Sequence, residues 1–348
     1  ERRVTLVYQW SPDLGKGQGK DYYRLSIGVS AEGVCAASVD GRVACYSHEG
    51  KKQWKAKLDE KIAAGVGVTN KFALLVDTNG KLRVLDRQTG EPLWSEKLDG
   101  QVLAAPQADD NIIVVQTTDG RVIGFDDQTR QKRWEYTADE PRLTLRGTAT
   151  PVIDRGVLYT GFANGKLVAL NTDNASIVFD QAVAIASGTA EIERIVDIDA
   201  SPVVTSDAVY SASFSGNLFA FDRRSGRPLW RTTASTYREL AYGLEKVYLT
   251  DEESNVFAFD SSSGDERWLQ KLLINRNLSA PAIFEGYQLI ADYKGYLHVL
   301  SQVDGTIVGR TRTDRAGVRV PMRTYRDNLY VYTDDGKLIA YQLENLTQ

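Results

Sequence analysis

The sequence predicts an all-β protein: an eight-bladed β-propeller of four-stranded antiparallel blades that forms a single domain over residues 1–348. Three observations predict it: a strand-rich composition, a recurring turn, and an N-terminal segment that can complete the last repeat. Valine, tyrosine and threonine are plentiful, and 29 glycines separate short segments. Such a composition is typical of strands joined by tight turns.

The repeat consists of a strand, a turn ending in Gly, a second strand ending near Asp or Asn, another turn, and then Trp. Its clearest copy runs from Thr78-Asn79-Gly80 to Trp94. The residue that ends the first turn marks eight units: Gly41, Gly80, Gly120, Gly165, Gly216, Asn255, Gly295 and Gly336. Their spacings of 39, 40, 45, 51, 39, 40 and 41 residues fit the roughly 40–45 residues of a four-stranded propeller blade.

The two ends of the chain predict how the propeller closes. The eighth unit would need its Trp near position 350, but the sequence given stops at Gln348. Leu6-Val7-Tyr8-Gln9-Trp10 has the pattern of the missing outer strand. We therefore expect residues 4–10 to pair with the strand at 337–343, which leaves no long open sheet edge.

Other residues of the repeat have structural interpretations. Each Trp is expected to pack against the neighbouring blade, as a large aromatic side chain at fixed phase would. A proline recurs where the innermost strand of a blade is expected to begin, a position that tolerates the missing amide donor. These five prolines, in segments expected to line the central channel, are Pro106, Pro151, Pro202, Pro281 and Pro321.

Charge and composition exclude several function classes. The 42 basic and 46 acidic side chains give a net charge of −4, so no broad basic surface for nucleic acid is expected. Two histidines and two cysteines are too few to predict a His/Cys metal site, since closed zinc sites take four such ligands. We also find no motif for a catalytic nucleophile, a phosphate loop or a calcium loop, and expect no catalytic residues and no cofactor.

Two spacings exceed the others, and both reflect insertions between the outer strand of one blade and the inner strand of the next. The first insertion includes residues 139–148 and the second 187–199. Both are expected on the same face, flanking one blade, and therefore close together in space. Binding residues of repeat proteins are often found in such insertions, because the scaffold does not need them.

The insertions resemble the two loop motifs through which members of the BamB family contact the periplasmic domains of BamA. The matching stretches are Leu143-Thr144-Leu145-Arg146-Gly147 and the residues from Glu191 to Asp199. The eight repeats extend the resemblance over nearly the full chain. It implies a non-enzymatic scaffold subunit of the outer-membrane β-barrel assembly machinery, with the POTRA domains of BamA as its partner and unfolded outer-membrane proteins as further candidates.

The resemblance also implies a location and a set of binding residues. The location is the periplasmic face of the outer membrane of a Gram-negative bacterium, with a lipid anchor that would precede Glu1. The partner-binding candidates, carried over by motif position, are Leu143, Leu145, Arg146, Asp197 and Asp199. The alternative is internal support, with the leucines folded under their loop and an aspartate paired with Arg146.

Two other function classes share the predicted fold. Quinone-dependent dehydrogenases have similar propeller repeats but are larger and carry adjacent cysteines, whereas Cys35 and Cys45 are ten residues apart. A cytoplasmic interaction propeller would lack an export signal, so residues upstream of Glu1 would distinguish it. The scaffold interpretation is the one that the insertions favour.

The two cysteines flank a predicted three-residue turn in which only Gly41 is left-handed. Ser38 and Arg42 then close the hairpin, and Cys35 faces Cys45 as a non-hydrogen-bonded pair with Cα atoms about 4.5 Å apart. That geometry allows a disulfide, at the short edge of the usual range. A two-residue turn would instead point the sulfurs to opposite faces, and both a bond and two free thiols remain open.

Overall fold

The computed structural model describes residues 3–20, 23–109, 111–139, 149–184, 197–214, 216–313 and 315–346. Within these ranges the strands form eight sheets of four antiparallel strands, arranged as an eight-bladed β-propeller. The predicted fold class is confirmed. Among the described residues, no helix has the length and apolar character needed to cross a bilayer.

The blades follow one another along the chain, and the N-terminal strand belongs to the last of them. Blades one to four comprise β2–β5 (Gly28–Ser30, Gly33–Ala37, Arg42–Tyr46, Lys52–Lys57), β6–β9 (Ile62–Val68, Phe72–Asp77, Lys81–Asp86, Pro92–Lys97), β10–β13 (Gln107–Asp109, Ile112–Gln116, Arg121–Asp126, Lys132–Thr137) and β14–β17 (Val152–Asp154, Val157–Gly161, Lys166–Asn171, Ile177–Ala182). Blades five to eight comprise β18–β21 (Val203–Val204, Ala208–Ala212, Asn217–Asp222, Pro228–Thr233), β22–β25 (Ala241–Gly243, Lys246–Thr250, Val256–Asp260, Glu266–Gln270), β26–β29 (Ala282–Phe284, Tyr287–Ala291, Tyr296–Ser301, Ile307–Arg312), and β30–β32 (Arg323–Tyr325, Asn328–Tyr332, Leu338–Asn345) with β1 (Val4–Trp10).

Contacts divide the chain into two compact units. Unit 1 comprises Glu1–Asp99, Glu253–Val256 and Trp268–Gln348, and holds blades one, two, seven and eight. Unit 2 comprises Gly100–Glu252 and Phe257–Arg267, and holds blades three, four and five with most of blade six. The single domain over residues 1–348 stays a prediction.

An aspartate at the end of the third strand fixes the following turn. The Asp86 carboxylate accepts hydrogen bonds from the amides of Gln88 and Thr89, both at 2.8 Å. These bonds to the charged form lower the pKa of Asp86. Equivalent aspartates make the same turn at Asp126, Asp222 and Asp260. The aspartate side chain thus accepts hydrogen bonds from turn amides that have no partner on a neighbouring strand.

The repeated Trp joins neighbouring blades inside each unit, as predicted. The indole of Trp54 in blade one donates to the Arg87 carbonyl of blade two at 2.7 Å. The second glycine of the repeat makes room for the ring, since a Cβ at Gly90 would lie 2.4 Å from it. The same indole-to-carbonyl bond is made by Trp10, Trp134, Trp230 and Trp268.

The predicted closure of the last blade is confirmed. β1 pairs antiparallel with β32, from Val4 opposite Asn345 to Tyr8 opposite Tyr341. The Leu14 amide adds a hydrogen bond of 2.8 Å to the Gly336 carbonyl. The outer edge of the C-terminal three strands is therefore covered by the N-terminal one.

Each of the five prolines stands one or two residues before the first strand of its blade, as expected. Pro106, Pro151 and Pro202 stand one residue before β10, β14 and β18 in unit 2. First strands of successive blades contact each other there, β10 with β14 and β14 with β18. The first strand is therefore the one at which neighbouring blades in the unit converge.

The cysteine hairpin also follows the prediction. The Ser38 amide donates to the Arg42 carbonyl at 2.8 Å, and Gly41 has a φ of 96°. Cys35 lies opposite Cys45 with Cα atoms 4.1 Å apart, and the two sulfurs form a disulfide. The three-residue turn is confirmed, and of the two redox states that the sequence left open the structure shows the bond.

Candidate partner-binding site

The two insertions flank blade four at the predicted connections. The first joins the end of β13 at Thr137 to the start of β14 at Val152, and the second joins Ala182 of β17 to Val203 of β18. The structure describes their beginnings and ends: residues 138–139 and 149–151 of the first, and 183–184 and 197–202 of the second. These ends determine where each insertion leaves and rejoins the blade.

One turn of blade four is bonded to both insertions. It connects β15 to β16, and its Asn164 side-chain amide donates to the Asp139 carbonyl of the first insertion at 2.9 Å. The carbonyl of Gly165 accepts from the amides of Val183 and Ala184, at 2.8 and 3.1 Å, where the second insertion begins. The two insertions therefore both start beside the same four-residue turn.

The returning ends of the insertions also meet. The Thr150 amide at the end of the first donates to the Ser201 hydroxyl at the end of the second, at 3.1 Å. For the described ends, the predicted proximity of the two insertions is confirmed. The bonds of the β15–β16 turn and the Thr150–Ser201 hydrogen bond hold the described ends of the two insertions together.

Ile198 fixes the end of the second insertion in the seam between blades four and five. Its amide donates to the Phe162 carbonyl at 3.2 Å, and its side chain is buried among Phe179, Val209 and neighbouring apolar residues. A Cβ at Gly161 would lie 2.2 Å from the Ile198 side chain. The close approach therefore depends on glycine in the last position of β15.

The sequence-predicted site residues fall into two groups. Leu143, Leu145 and Arg146 lie outside the described residues. Asp197 is fully buried, whereas Asp199 is partly exposed. The burial of Asp197 favours internal support for that residue, the alternative that the sequence left open, and Asp199 retains surface that a partner can reach. Contact of any of the five with a partner stays a prediction.

Sequence reasoning did not single out the residues that hold the insertions in place. Asn164, Ser201 and Ile198 make the contacts that position the loop bases. The only sequence signal was the Ala163-Asn164-Gly165 turn of the repeat, since asparagine and glycine are frequent in tight turns. The hydrogen bond from the Asn164 side chain to Asp139 could not be predicted from the residues of the turn alone.

The charges next to this turn are balanced locally. Lys166, the first residue of β16, forms a salt bridge of 2.9 Å with Asp180 of β17. This hydrogen bond and the attraction between the charges raise the pKa of Lys166. Lys166 and Asp180 therefore balance each other beside the turn.

An arginine joins blades four and five at the far end of β14. Arg223 is nearly buried and donates to the Tyr159 hydroxyl at 3.2 Å, to the Thr205 carbonyl at 2.8 Å and to the Asp154 carboxylate. Burial alone would lower the pKa of Arg223, but its hydrogen bonds to Tyr159 and Asp154 raise it. The ion pair keeps the blade that carries both insertions fixed against its neighbour.

Metal-binding chemistry has no support in the part of the chain that the structure describes. No group of three or more His, Cys, Asp or Glu side chains is placed there to hold a metal ion. The two cysteines are bonded to each other across a hairpin.

Comparison with known proteins decides the family. The family profile described as outer membrane protein assembly factor BamB matches residues 39–270. A BamB from Pseudomonas aeruginosa is 43% identical over 344 residues, covering 99% of this chain and 90% of that protein. This chain belongs to the BamB family. The BamB relatives from Pseudomonas aeruginosa, Kangiella koreensis and Escherichia coli are named as assembly factors.

Solved structures agree with the BamB family. The crystal structure of BamB from Moraxella catarrhalis matches with a TM-score of 0.88 and 28% identity, covering 97% of this chain and 99% of that one. A quinohemoprotein alcohol dehydrogenase from Comamonas testosteroni matches with a TM-score of 0.75 but only 11% identity, covering 98% of this chain and 76% of that one. The second likeness shows a shared fold alone.

Proposed function

We propose that this BamB-family chain is a non-enzymatic scaffold that takes part in outer-membrane protein assembly by binding the periplasmic domains of BamA. The insertions that flank blade four would form the binding surface. The observation that carries the proposal is the β15–β16 turn, which bonds to both insertions and sets the distance between their bases. Family membership supports the assembly role, because the relatives are named as assembly factors.

The proposed contact combines apolar burial with charge recognition. Leu143 and Leu145 would enter an apolar groove of the partner, where a leucine side chain that becomes fully buried contributes about 1.5–3 kcal/mol. Arg146 would bind a partner carboxylate through its planar guanidinium. Asp199, partly exposed on the other insertion, would bind a partner cation and fix the orientation.

We place the protein at the periplasmic face of the outer membrane, held by a lipid anchor upstream of the sequence given. The Cys35–Cys45 disulfide supports an oxidising compartment such as the periplasm. The outer-membrane assignment rests on the named BamB relatives. Unfolded outer-membrane proteins are proposed as further partners of the scaffold.

Capture of purified BamA periplasmic domains by immobilised chain tests the proposal. Arg146→Glu is expected to weaken binding at least about tenfold, equivalent to about 1.4 kcal/mol, while the thermal midpoint stays unchanged. Arg224→Glu is the matched control, because Arg224 is exposed at a turn of blade five and undergoes the same charge reversal. Equal capture by Arg146→Glu and the unaltered chain would refute the proposal.

The two aspartates separate binding from internal support. Asp199→Ala is expected to weaken capture without changing the thermal midpoint, because its side chain is partly exposed. Asp197→Ala is expected to destabilise the chain by about 1–3 kcal/mol, since groups that contact a buried carboxylate lose their partner. Calorimetry and capture on the same samples distinguish the two, and a loss of capture by Asp197→Ala at full stability would contradict its internal role.

A further inference from the structure

Three arginines of unit 1 surround one tyrosine ring in blade seven. The guanidinium carbon of Arg310 lies 3.9 Å from the centroid of the Tyr296 ring, that of Arg312 4.9 Å, and that of Arg276 6.0 Å. Tyr296 begins β28, the two nearer arginines lie on β29, and Arg276 lies in the segment between β25 and β26. We call these four residues the blade-seven basic patch.

The positive charge of Arg276 is balanced by a buried carboxylate. Arg276 forms a salt bridge of 2.5 Å with Asp292, which is completely buried and also bonds to His298 at 3.1 Å. Burial by itself would raise the pKa of Asp292, but hydrogen bonds from His298, the Tyr296 amide and Arg276 lower it to about 2. Asp292 is therefore ionised at neutral pH and balances Arg276.

The other two charges have no such counterpart. Within the described ranges, neither Arg310 nor Arg312 has a carboxylate within salt-bridge distance, and the buried Nε of Arg310 has no hydrogen-bond partner. Both groups contact the face of the Tyr296 ring, an interaction that does not use their N–H donors. Two guanidinium groups therefore lie against one ring with no carboxylate partner among the described residues.

Exposed apolar side chains border the basic patch. Leu272 is 77% exposed and Ile274 47% exposed, whereas Leu273 between them is buried, and all three precede Arg276 in the same segment. Tyr293, 48% exposed, donates its amide to the Arg276 carbonyl at 3.2 Å, which places it directly beside the patch. Leu272, Ile274 and Tyr293 form what we call the apolar border.

From this arrangement we propose that blade seven binds an acidic segment of a partner protein in which apolar residues adjoin the carboxylate. The carboxylate would bind the guanidinium groups of Arg310 and Arg312, and the apolar neighbours would cover Leu272, Ile274 and Tyr293. The evidence is charge complementarity: among the described residues no carboxylate pairs with Arg310 or Arg312, and exposed apolar side chains lie in the adjoining segments.

A protein carboxylate fits this patch better than an anionic membrane surface. Membrane attraction acts on exposed, mobile Lys and Arg side chains and needs no defined geometry. Here Arg310 is half-buried and both cations are oriented by one ring. Arginine and tyrosine are also among the residues enriched at protein interfaces.

Fluorescence anisotropy with the full chain and synthetic peptides tests this proposal. The probes are a labelled peptide of Asp, Leu and Ser, the same peptide with Lys in place of Asp, and the same peptide with Ser in place of Leu. The acidic, leucine-containing peptide is expected to bind, and its binding should weaken as salt screens the charges. Absence of binding by this peptide, or equal binding by the Lys peptide, would overturn the proposal.

Variants assign the binding to blade seven. Arg310→Gln with Arg312→Gln is expected to weaken binding of the acidic peptide at least about tenfold, and Leu272→Ser with Ile274→Ser to weaken it less. The control is Arg224→Gln with Arg231→Gln, which removes two exposed arginines of blade five. Thermal midpoints of all variants confirm folding, and unchanged binding by the blade-seven arginine variant would overturn the assignment.

Vesicles and free phosphate complete the test. If phosphatidylglycerol vesicles bind in an arginine-dependent way while the acidic peptide does not, the patch is a membrane contact and the proposal is wrong. Competition of the peptide by millimolar inorganic phosphate as effectively as by unlabelled peptide would also contradict it, because the apolar border would then contribute nothing. Capture of BamA domains by the blade-seven variant is measured separately, since this proposal does not rest on the insertions.

Discussion

Arg87 in blade two and Arg223 in blade five occupy the same place in the repeat, directly after the aspartate that ends the third strand. Both are nearly or fully buried. Arg223 binds the carboxylate of Asp154 on the neighbouring blade. Arg87 instead donates to the neutral side chain of Gln53 at 2.9 Å, and its Nε and Nη2 have no hydrogen-bond partner within the described ranges.

The two arginines show that residues at the same position of the repeat can contribute differently to the stability of the protein. Burial lowers the pKa of Arg87, and the more distant charge of Glu32 opposes this only partly. The pKa of Arg223 is raised, because its hydrogen bonds outweigh the burial. A buried charge is favourable only when its partner compensates the lost hydration. Arg223 is therefore expected to stabilise its seam and Arg87 to contribute little.

The largest expected effect is that of removing the paired arginine. Arg223→Met is expected to lower the free energy of unfolding by about 2 kcal/mol, because hydrogen bonds that involve a charged group are worth about 1.5–3 kcal/mol. Urea titration followed by tryptophan fluorescence measures this loss. A loss below about 0.5 kcal/mol, the usual size for a surface change, would show that the ion pair does not hold blades four and five together.

A smaller effect is expected from making the environment of Arg223 resemble that of Arg87. Asp154→Asn replaces the carboxylate by a neutral amide, and the expected loss is about 0.5–1 kcal/mol, since the side chain of Asp154 is 41% exposed and solvent already screens the pair. The same urea titration detects it. Stability unchanged by Asp154→Asn but reduced by Arg223→Met would mean that Tyr159 and Thr205, not the charge, determine the seam.

The smallest effect is expected at the unpaired arginine. Arg87→Met removes a buried charge together with one neutral hydrogen bond, so the free energy of unfolding should stay within about 0.5 kcal/mol or rise. Comparison with Arg223→Met under identical conditions gives the contrast directly. If Arg87→Met cost as much as Arg223→Met, burial and packing of the side chain would explain both positions and the difference in partners would be irrelevant.

The sequence predicts the blades well because local chemistry determines them. The turn at Gly41 predicted the register that places Cys35 opposite Cys45, and the missing Trp of the eighth unit predicted the pairing of β1 with β32. Each of these follows from a turn conformation or from a repeat counted along the chain. Neither needs knowledge of which residues meet across a seam.

The repeat predicted the Trp contacts between blades, but the polar side-chain partners between blades could not be predicted in the same way. Asp86-Arg87 and Asp222-Arg223 are the same pattern in the sequence, yet the partner of Arg223 stands 69 positions away on another blade. The candidate site shows the same limit. Asp197 and Asp199 are two residues apart and look equivalent in the sequence, but Asp197 is fully buried and Asp199 is partly exposed.

Hydrogen exchange of the full chain, with and without the periplasmic domains of BamA, tests the central claim most directly. The account predicts slower exchange on binding in the two insertions, residues 138–151 and 183–202, together with the turn at 162–165 that bonds to both. Exchange at the aspartate turns, such as 86–91 and 222–227, should not change. Protection of those turns with unchanged exchange in both insertions would contradict the account.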